Sequence, residues 1–346
     1  MAYTTIDKPS DYFNTKLYTG SRPSQSITGV GFQPDWVWLK QRDDSNPHRL
    51  FDVIRGATKN LSSNSTDAES TQSPTLTSFN SDGFSLGDSG SVNNNGSPHV
   101  SWNWKAGTSF SNSAGANGAT IASTGSVNQD AGFSIVSYTG NATNGAKVGH
   151  GLSSAPQMVI TKSRGDAGAW QILTNIYSSY SEGDYIALNT TDAKANSANV
   201  SFLPTSTTWQ MKSGQAGNTS STKIAYCFHS VQGYSKFSSY TGNGNADGTF
   251  VYTGFKPAFI LAKDADSSDN WIIHDTTRNP SNPVGAYLRP NLSSAEGTFS
   301  HYDILSNGFK NLYAGGSLNG SGKNIIYMAF AKNPFVTSTG VPATAR

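Results

Sequence analysis

Several features that mark other protein classes are scarce in this sequence. It has one cysteine, Cys227, so we expect neither an intramolecular disulfide framework nor a cysteine-based metal site. Only 13% of its 346 residues are charged, and the 24 basic and 22 acidic residues include no Lys/Arg run. Without a basic patch, we expect no nucleic-acid partner. No stretch of about 18 apolar residues occurs, so we expect no membrane insertion.

The N-terminal stretch from Met1 to Pro9 also lacks an apolar segment. We therefore expect no signal peptide and a chain that folds in a cytoplasm. The 17 Phe, 15 Tyr and 7 Trp provide apolar material for a core, while 35 Gly with Ser, Thr and Asn favour turns over long helices. Because no run shows helical apolar spacing, the composition predicts an all-β protein.

Three landmarks recur in the same order along the chain. They are a Tyr-Thr-Gly end of a strand (18–20, 138–140, 240–242), a Pro-led apolar strand ending in Lys (34–40, 156–162, 257–263) and an apolar closing strand (100–104, 224–228, 326–330). Internal self-similarity of this kind indicates tandem modules. Short strands with frequent turn signals, such as the Asp-Gly before Phe84, indicate a β-sandwich of jelly-roll or concanavalin-like type.

The landmarks divide the chain into three predicted copies of one module. We call them copy 1 (residues 1–107), copy 2 (residues 132–233) and copy 3 (residues 234–346, with a C-terminal tail from Val336). Residues 108–131 are rich in Gly, Ser and Asn and are predicted to be a linker or a long surface loop.

Charged residues recur with the landmarks and are the first candidates for a site. Copies 1 and 3 share an Asp (Asp52, Asp275), an Arg (Arg55, Arg278) and a Glu (Glu69, Glu296), and all three copies share a Lys (Lys40, Lys162, Lys263). A glycosidase needs two carboxylates in one cleft, so the two Glu residues are its candidates. A residue that repeats between modules is usually framework, however, and we predict a polar structural network and no catalytic residue.

Other chemical signals are weak. Gly87–Gly90 resembles the nucleophile segment of trypsin-like proteases, but a turn explains it in so Ser- and Gly-rich a chain. The six histidines show no zinc-binding spacing, so we expect no metal and no cofactor. Asp264, Asp266 and Asp269 are predicted to form an acidic turn, with calcium binding as the alternative.

Tryptophans are candidates for stacking against sugar rings. Six of the seven lie at or beside the landmarks, where core packing is the favoured interpretation. Trp209 lies outside every landmark, which makes it the weak candidate for ligand binding.

Three segments resemble a family of virion structural proteins of marine tailed phages of the cyanophage type. They are residues 2–13, residues 131–140 and residues 325–331. The resemblance covers nearly the whole chain and implies a virion-associated, tail-fibre-like protein with concanavalin-like modules. It implies no catalytic or binding residues.

The expected function is therefore that of a virion structural protein, a tail-fibre or appendage component that binds host-surface polysaccharide and contacts other virion proteins. By analogy with fibre proteins, a homotrimer is expected. The first alternative is a capsid decoration protein, and the second is a glycan-degrading tailspike that uses Glu69 or Glu296.

Overall fold

The computed structural model describes residues 2–213 and 217–342, and this part of the chain is built mainly from antiparallel strands. The helices are single turns: α1 (Gly90–Asn93), α2 (Gly316–Asn319) and the 3-10 turns Pro9–Asp11 and Ala116–Gly118. The prediction of an all-β sandwich protein is confirmed. None of the described helices is long and apolar enough to span a bilayer.

Copy 1 has two main sheets with a core between them. Its strands are β1 (Phe13–Thr19), β2 (Gln25–Thr28), β3 (Trp36–Gln41), β4 (Arg49–Asp52), β5 (Lys59–Asn60), β6 (Ser70–Thr71), β7 (Leu76–Asn80), β8 (Gly83–Leu86) and β9 (Pro98–Trp104). Inner sheet 1 has the order β1-β9-β3-β4, outer sheet 1 has the order β2-β8-β7, and β5 pairs with β6. Val37 and Phe51 of the inner sheet pack against Ile27 and Phe84 of the outer sheet.

Residues 108–131 correct the expectation of a linker or loop. They contain β10 (Thr108–Asn112) and β11 (Ser123–Asn128), which pair with each other. β11 also pairs with the first strand of copy 2, β12 (Phe133–Thr139). The segment therefore extends a sheet of copy 2, and its small polar residues fit because β10 forms the edge of that sheet.

Copy 2 has the same two-layer arrangement. Its further strands are β13 (Ala146–Gly149), β14 (Met158–Ser163), β15 (Gln171–Thr174), β16 (Asp184–Ala187), β17 (Ala195–Asn196), β18 (Leu203–Pro204), β19 (Thr208–Met211) and β20 (Thr222–Phe228). The large sheet runs β10-β11-β12-β20-β14-β15-β16-β17, and its middle four strands are inner sheet 2. Outer sheet 2 has the order β13-β19-β18.

Copy 3 completes the chain. Its strands are β21 (Ser235–Thr241), β22 (Phe250–Tyr252), β23 (Phe255–Asp264), β24 (Ile272–Asp275), β25 (Val284–Tyr287), β26 (Gly297–Leu305), β27 (Gly308–Asn311) and β28 (Asn324–Pro334). Inner sheet 3 has the order β21-β28-β23-β24, and outer sheet 3 has the order β22-β27-β26-β25.

The three inner sheets share strand order and register. In each, the closing strand lies between the strand that ends in Tyr-Thr and the strand that ends at or beside the buried Lys. The residues at the middle of the closing strands are Trp102, Tyr226 and Met328. Trp102 lies opposite Thr15 on one side and Trp38 on the other, and its counterparts pair in the same way.

The second face of each inner sheet is buried in a central core that all three copies build. Its aromatic contacts cross every boundary between copies. Trp36 of copy 1 stacks on Tyr226 of copy 2 at 4.2 Å between ring centroids, and Phe13 stacks on Phe330 of copy 3 at 4.9 Å. Phe228 of copy 2 lies 6.2 Å from Phe330. The inner strands are therefore covered on both faces, which explains their apolar residues at adjacent positions.

The N-terminal residues pack against the end of copy 2 and against copy 3. The hydroxyl of Tyr3 donates to the carbonyl of Gly254 (2.7 Å), and the hydroxyl of Thr4 donates to the carbonyl of Gln232 (2.7 Å). In the C-terminal tail, Ser338 bonds to the carboxylate of Asp7, while residues 343–346 lie outside the described part.

Candidate functional site

The recurring charged residues of copy 1 form a buried network. Asp52 accepts hydrogen bonds from Nε of Arg55 and from the hydroxyl of Tyr226 in copy 2 (2.8 Å). Arg55 also donates to Glu69 (3.4 Å) and to the carbonyl of Leu50 (2.8 Å). The side chains of Asp52 and Arg55 have no exposed area, so each charge is tolerated in the core because the other neutralises it.

Copy 3 repeats this network with its own residues. Asp275 accepts hydrogen bonds from Nε of Arg278 and from Nε1 of Trp102 in copy 1 (3.0 Å). Arg278 donates to Glu296 (2.9 Å) and to the carbonyl of Ile273 (3.1 Å). In both networks the buried Asp therefore receives a donor from the neighbouring copy.

The shared Glu residues extend the networks across the boundaries, which we call seams. Glu69 accepts two hydrogen bonds from Arg164 of copy 2 (3.0 Å each), and its amide donates to the Arg164 carbonyl (2.9 Å). Glu296 accepts two from Arg42 of copy 1 (3.0 and 2.7 Å), and its amide donates to the Arg42 carbonyl (2.7 Å). Two-point carboxylate–guanidinium pairs fix orientation as well as distance.

The third seam keeps the backbone bond and lacks the ion pair. The amide of Lys194 in copy 2 donates to the carbonyl of Ala265 in copy 3 (2.7 Å). The Lys194 ammonium pairs within copy 2, with Asp184 (2.9 Å), and lies 5.1 Å from the centre of the Tyr177 ring. The three seams run from copy 1 to 2, from 2 to 3 and from 3 back to 1, so the copies close a ring.

The shared lysines Lys40, Lys162 and Lys263 are fully buried. Burial lowers the pKa of each to about 8. Their ammonium groups donate to main-chain carbonyls that include those of Asp44, Thr66 and Ser267, respectively. These lysines therefore hold turns in place, and Lys162 also joins copy 2 to copy 1.

The repeated carboxylates lack the environment of a glycosidase acid. That role requires a raised pKa. Burial by itself would raise the pKa of Glu296, but hydrogen bonds and charge from Arg42 and Arg278 outweigh it and lower this pKa. The carboxylate of Glu69 forms ion pairs with the guanidinium groups of Arg55 and Arg164. Both Glu side chains join copies instead of facing a cleft.

The protease-like segment Gly87–Gly90 has no catalytic partner in His48, the histidine that precedes it in the chain. Nδ1 of His48 accepts a hydrogen bond from Trp38 (2.9 Å), so Nε2 carries the proton and donates to the carbonyl of Arg289 (3.1 Å). Ser89 lies directly before α1 with an extended backbone. A Ser–His pair requires a free imidazole nitrogen beside the hydroxyl, and both nitrogens of His48 are engaged.

The acidic turn at Asp264 uses its oxygens internally. Asp264 accepts from the amide of Asp266 (2.8 Å), and Asp266 accepts from the amide of Asn324 (2.8 Å). Within residues 2–213 and 217–342, no group of three or more His, Cys, Asp or Glu side chains is placed to hold a metal ion.

Trp209, the weak candidate for ligand binding, is not available to a ligand. It lies in β19 with 0% of its surface exposed, and its ring meets Tyr138 edge-on at 5.8 Å. A sugar platform needs an exposed ring face, so this prediction is wrong. The other six tryptophans are also buried.

Aromatic side chains instead line an open cleft of about 200 Å³ on copy 3. The lining residues of this aromatic cleft are Ile272, Tyr287, Arg289, Thr298, Phe299, His301, Tyr313 and Ser317. Phe299 is 42% exposed, and the centroid of its ring lies 4.7 Å from the ring centroid of Tyr313 and 4.8 Å from that of His301. The guanidinium of Arg289 lies over the Tyr287 ring at 4.9 Å.

Strands that extend copy 3 position these side chains. Outer sheet 3 has four strands, whereas outer sheets 1 and 2 have three each. Tyr287 ends the additional strand β25, Phe299 and His301 lie in the long strand β26, and Tyr313 follows β27. The cleft is therefore built where outer sheet 3 differs in its strands from outer sheets 1 and 2.

Two histidines set the electrostatics of the cleft wall. Nδ1 of His301 lies 3.0 Å from Nε2 of His274. Burial lowers the pKa of His301 to about 4, with the nearby charge of Arg289 adding to the effect, and burial also lowers the pKa of His274 well below its ordinary value. Both rings are neutral at pH 7, and Arg289 is the one charged group in a lining without a carboxylate.

The cleft was not predicted from the sequence, because the candidate site residues were chosen at positions that the copies share. The residue before the shared Asp is His274 in copy 3 but Phe51 in copy 1 and Leu173 in copy 2. The cleft could have been found from positions where one copy has a polar or aromatic residue and the other copies have apolar residues.

A larger recess of about 480 Å³ lies where copy 1 meets residues 108–131. Its lining contains one aromatic ring, Tyr12, together with polar residues such as Asn128 and Asp130. A single ring offers no pair of apolar faces to hold a ligand, so the aromatic cleft is the better candidate site.

The comparisons with known proteins give one match. A family model described as a domain of unknown function (DUF7483) matches residues 8–334. No curated protein and no solved structure matches the chain.

Proposed function

The chain belongs to the DUF7483 family, whose function is unknown, and we propose that it is a structural protein of a tailed-phage virion that attaches the particle to host-surface glycan. Its partners in this proposal are other virion proteins and a polysaccharide of the host envelope. The resemblance of its N-terminal, middle and C-terminal segments to phage virion proteins supports the location, and the geometry of copy 3 supports the adhesive role.

The adhesive role is supported mainly by the aromatic cleft. The recurring charged residues of the scaffold pair with other groups of the same chain and are not available to a ligand. Flat rings such as Phe299 and Tyr313 pack well against the C–H faces of sugar rings. Polar groups at the rim, such as Arg289 and Ser317, orient hydroxyl groups. An adhesive protein needs this combination, and it does not need an activated acid or nucleophile.

The proposal includes three copies of one module. Equal strand order and register in the inner sheets support this, together with three seams that use equivalent backbone bonds. A scaffold closed by its own contacts holds a binding surface rigid while a particle pulls on it.

A virion that lacks this protein tests the adhesive role. We expect such particles to assemble and to adsorb to host cells at a strongly reduced rate, with adsorption restored by wild-type protein supplied in trans. Normal adsorption by particles without the protein would contradict the proposal.

A capsid decoration protein is the second candidate, and the closed ring of three copies favours it, because an object with threefold pseudo-symmetry suits threefold positions of a shell. Cryo-electron microscopy of the virion separates the two. A few copies at the tail or one vertex support adhesion. A regular lattice over the head supports decoration, and particles without the protein would then be fragile yet adsorb normally.

A further inference from the structure

The residues of the aromatic cleft indicate which kind of sugar it binds. This inference rests on the proposed function of glycan attachment. The cavity of about 200 Å³ is smaller than the range of about 300–1,000 Å³ typical of sites for drug-sized ligands. It therefore accommodates about one sugar ring, with the rest of a glycan chain outside. The exposed ring of Phe299 and the ring of Tyr313, inclined at 77° to each other, form an apolar corner for that sugar.

Arg289 supplies a fixed positive charge beside this corner. Its guanidinium lies over Tyr287, and one of its Nη atoms donates to the Tyr287 hydroxyl (3.1 Å). Its main-chain carbonyl accepts the hydrogen bond from His48. The Nε atom is buried and has no hydrogen-bond partner within the described chain. A planar, preorganised guanidinium with unused donors is suited to a carboxylate.

The histidine pair adds a second donor. Nδ1 of His274 is buried without a partner. A buried unpaired N–H costs more than a buried unpaired nitrogen acceptor, so the proton of His274 resides on Nε2 and is donated to His301 Nδ1. The neutral His301 must then carry its proton on Nε2, the ring nitrogen that remains for the cleft.

We propose that the aromatic cleft binds one carboxylate-bearing sugar residue of a host-surface glycan, such as a uronic acid, with its ring against Phe299 and Tyr313 and its carboxylate on Arg289. The lining has donors and one positive charge but no acidic side chain, and Asp269, whose charge acts on His301, lies outside it. A neutral hexose uses the same corner without the ion pair.

Calorimetry on the full chain tests this with two matched probes, an oligosaccharide of galacturonic acid and the same oligosaccharide with its carboxylates reduced to neutral galactose. We expect wild-type protein to bind the acidic probe at least tenfold more tightly. Arg289→Gln should remove this preference and leave affinity for the neutral probe within about threefold. Phe299→Ala should weaken both probes at least tenfold.

Phe250→Ala is the matched control, because Phe250 is a 45% exposed phenylalanine of copy 3 outside the cleft lining. It should change neither affinity, and circular dichroism verifies the fold of each variant. Equal binding of both probes by wild-type protein would overturn the acidic-sugar inference. Binding to host cells that Phe299→Ala and Arg289→Gln leave unchanged would overturn the cleft as the site while the adhesive function stands. Absence of any binding to host cells would remove the proposed function itself.

Discussion

At each seam, a residue of one copy faces a residue of the neighbouring copy. Where the buried Asp of the first copy is replaced, the donor of the second copy is replaced as well. Where the inner sheet offers a buried Asp, the facing copy supplies a donor: Tyr226 for Asp52, and Trp102 for Asp275. Copy 2 has Thr174 at the Asp position, and the residue equivalent to Tyr226 and Trp102 is then Met328. Changing both partners together avoids leaving a buried polar group unpaired, which costs more than a net hydrogen bond contributes.

The buried Asp275 is predicted to be among the most sensitive single residues. Asp275→Ala leaves the fully buried charge of Arg278 without its closest partner and the Nε1 of Trp102 without an acceptor. We expect a loss of about 3–5 kcal/mol in the free energy of unfolding, measured by urea denaturation.

Asp247→Ala is the control for that measurement. Asp247 pairs with Lys310 at the surface, where its side chain is 83% exposed, so its removal should leave the unfolding midpoint almost unchanged. Similar losses for the two variants would contradict the structural role of the buried network.

Histidine burial predicts that the protein loses stability in mild acid. Burial lowers the pKa of all six histidines, with His150 and His301 at about 4. Between pH 6.5 and 4 the unfolded chain binds more protons than the folded chain, so stability falls as pH decreases through this window. Asp35, whose pKa burial raises to about 6, acts in the opposite direction and is a single group.

Urea midpoints at pH 7.5, 6.5, 5.5 and 4.5 measure this dependence. We expect little change from 7.5 to 6.5 and a progressive decrease below. His150→Gln should show a shallower decrease than wild type, because one titrating group is gone. A flat profile down to pH 4.5 would mean that the histidines are not buried as neutral rings.

At the level of strands and loops, the ion-paired seams add polar contacts to the central core, joining copy 1 to copy 2 and copy 3 to copy 1. Arg42→Ala removes the Glu296 pair, and Arg164→Ala removes the Glu69 pair. Each Glu keeps a second guanidinium partner, so we expect losses of about 1–3 kcal/mol per variant by urea denaturation.

Arg22→Ala serves as the control, since the Arg22–Asp88 pair is exposed and should contribute within about 0.5 kcal/mol. A double-mutant cycle of Arg42 and Glu296 should give a coupling energy of about 0.5–3 kcal/mol. A coupling near zero would show that this seam is held by its backbone bond alone.

Strands were predictable from the sequence wherever chemistry restricts the backbone. The Tyr-Thr pairs end β1, β12 and β21, and Pro34 and Pro156 lie two residues before β3 and β14. The strands β10 and β11 were not predictable, because an edge strand needs few apolar residues and composition alone resembled a loop. Their identity as strands depends on tertiary pairing, of β11 with β12 and of β10 with β11.

The candidate site was less predictable than the fold. The sequence shows that the Asp, Arg and Glu residues recur. It does not show which copy each of them contacts, because that depends on how the three copies pack into a ring. The cleft joins Tyr287, His301 and Tyr313 from three separate stretches, and no spacing in the sequence links them.

At the scale of the whole molecule, the central core makes each copy dependent on the others. Inner-sheet aromatics such as Trp36, Phe228 and Phe330 would be exposed in an isolated copy. We therefore expect one cooperative unfolding transition for the full chain, with coincident curves from tryptophan fluorescence and far-ultraviolet circular dichroism.

Residues 108–233 expressed alone provide the complementary experiment. This fragment contains copy 2 with β10 and β11, and it should aggregate or bind hydrophobic dyes because its half of the central core is uncovered. A stable, monomeric fragment, or separate transitions in the full chain, would contradict a shared core.

The ring of three copies within one chain limits which surfaces could form the expected homotrimer. The inner sheets of the three copies already cover one another within one chain. The homotrimer stays a prediction, and three chains could associate only through outer surfaces, which include the outer sheets and the exposed rings of Phe250 and Tyr252.

Competition for adsorption tests whether the aromatic cleft attaches the particle to host cells. Host cells are incubated with purified full-length protein, and the rate of phage adsorption is then measured. We expect wild-type protein and Phe250→Ala to slow adsorption at the same concentration, whereas Phe299→Ala, which alters the cleft, should not. Equal competition by all three proteins, or competition by none, would contradict host attachment through the aromatic cleft.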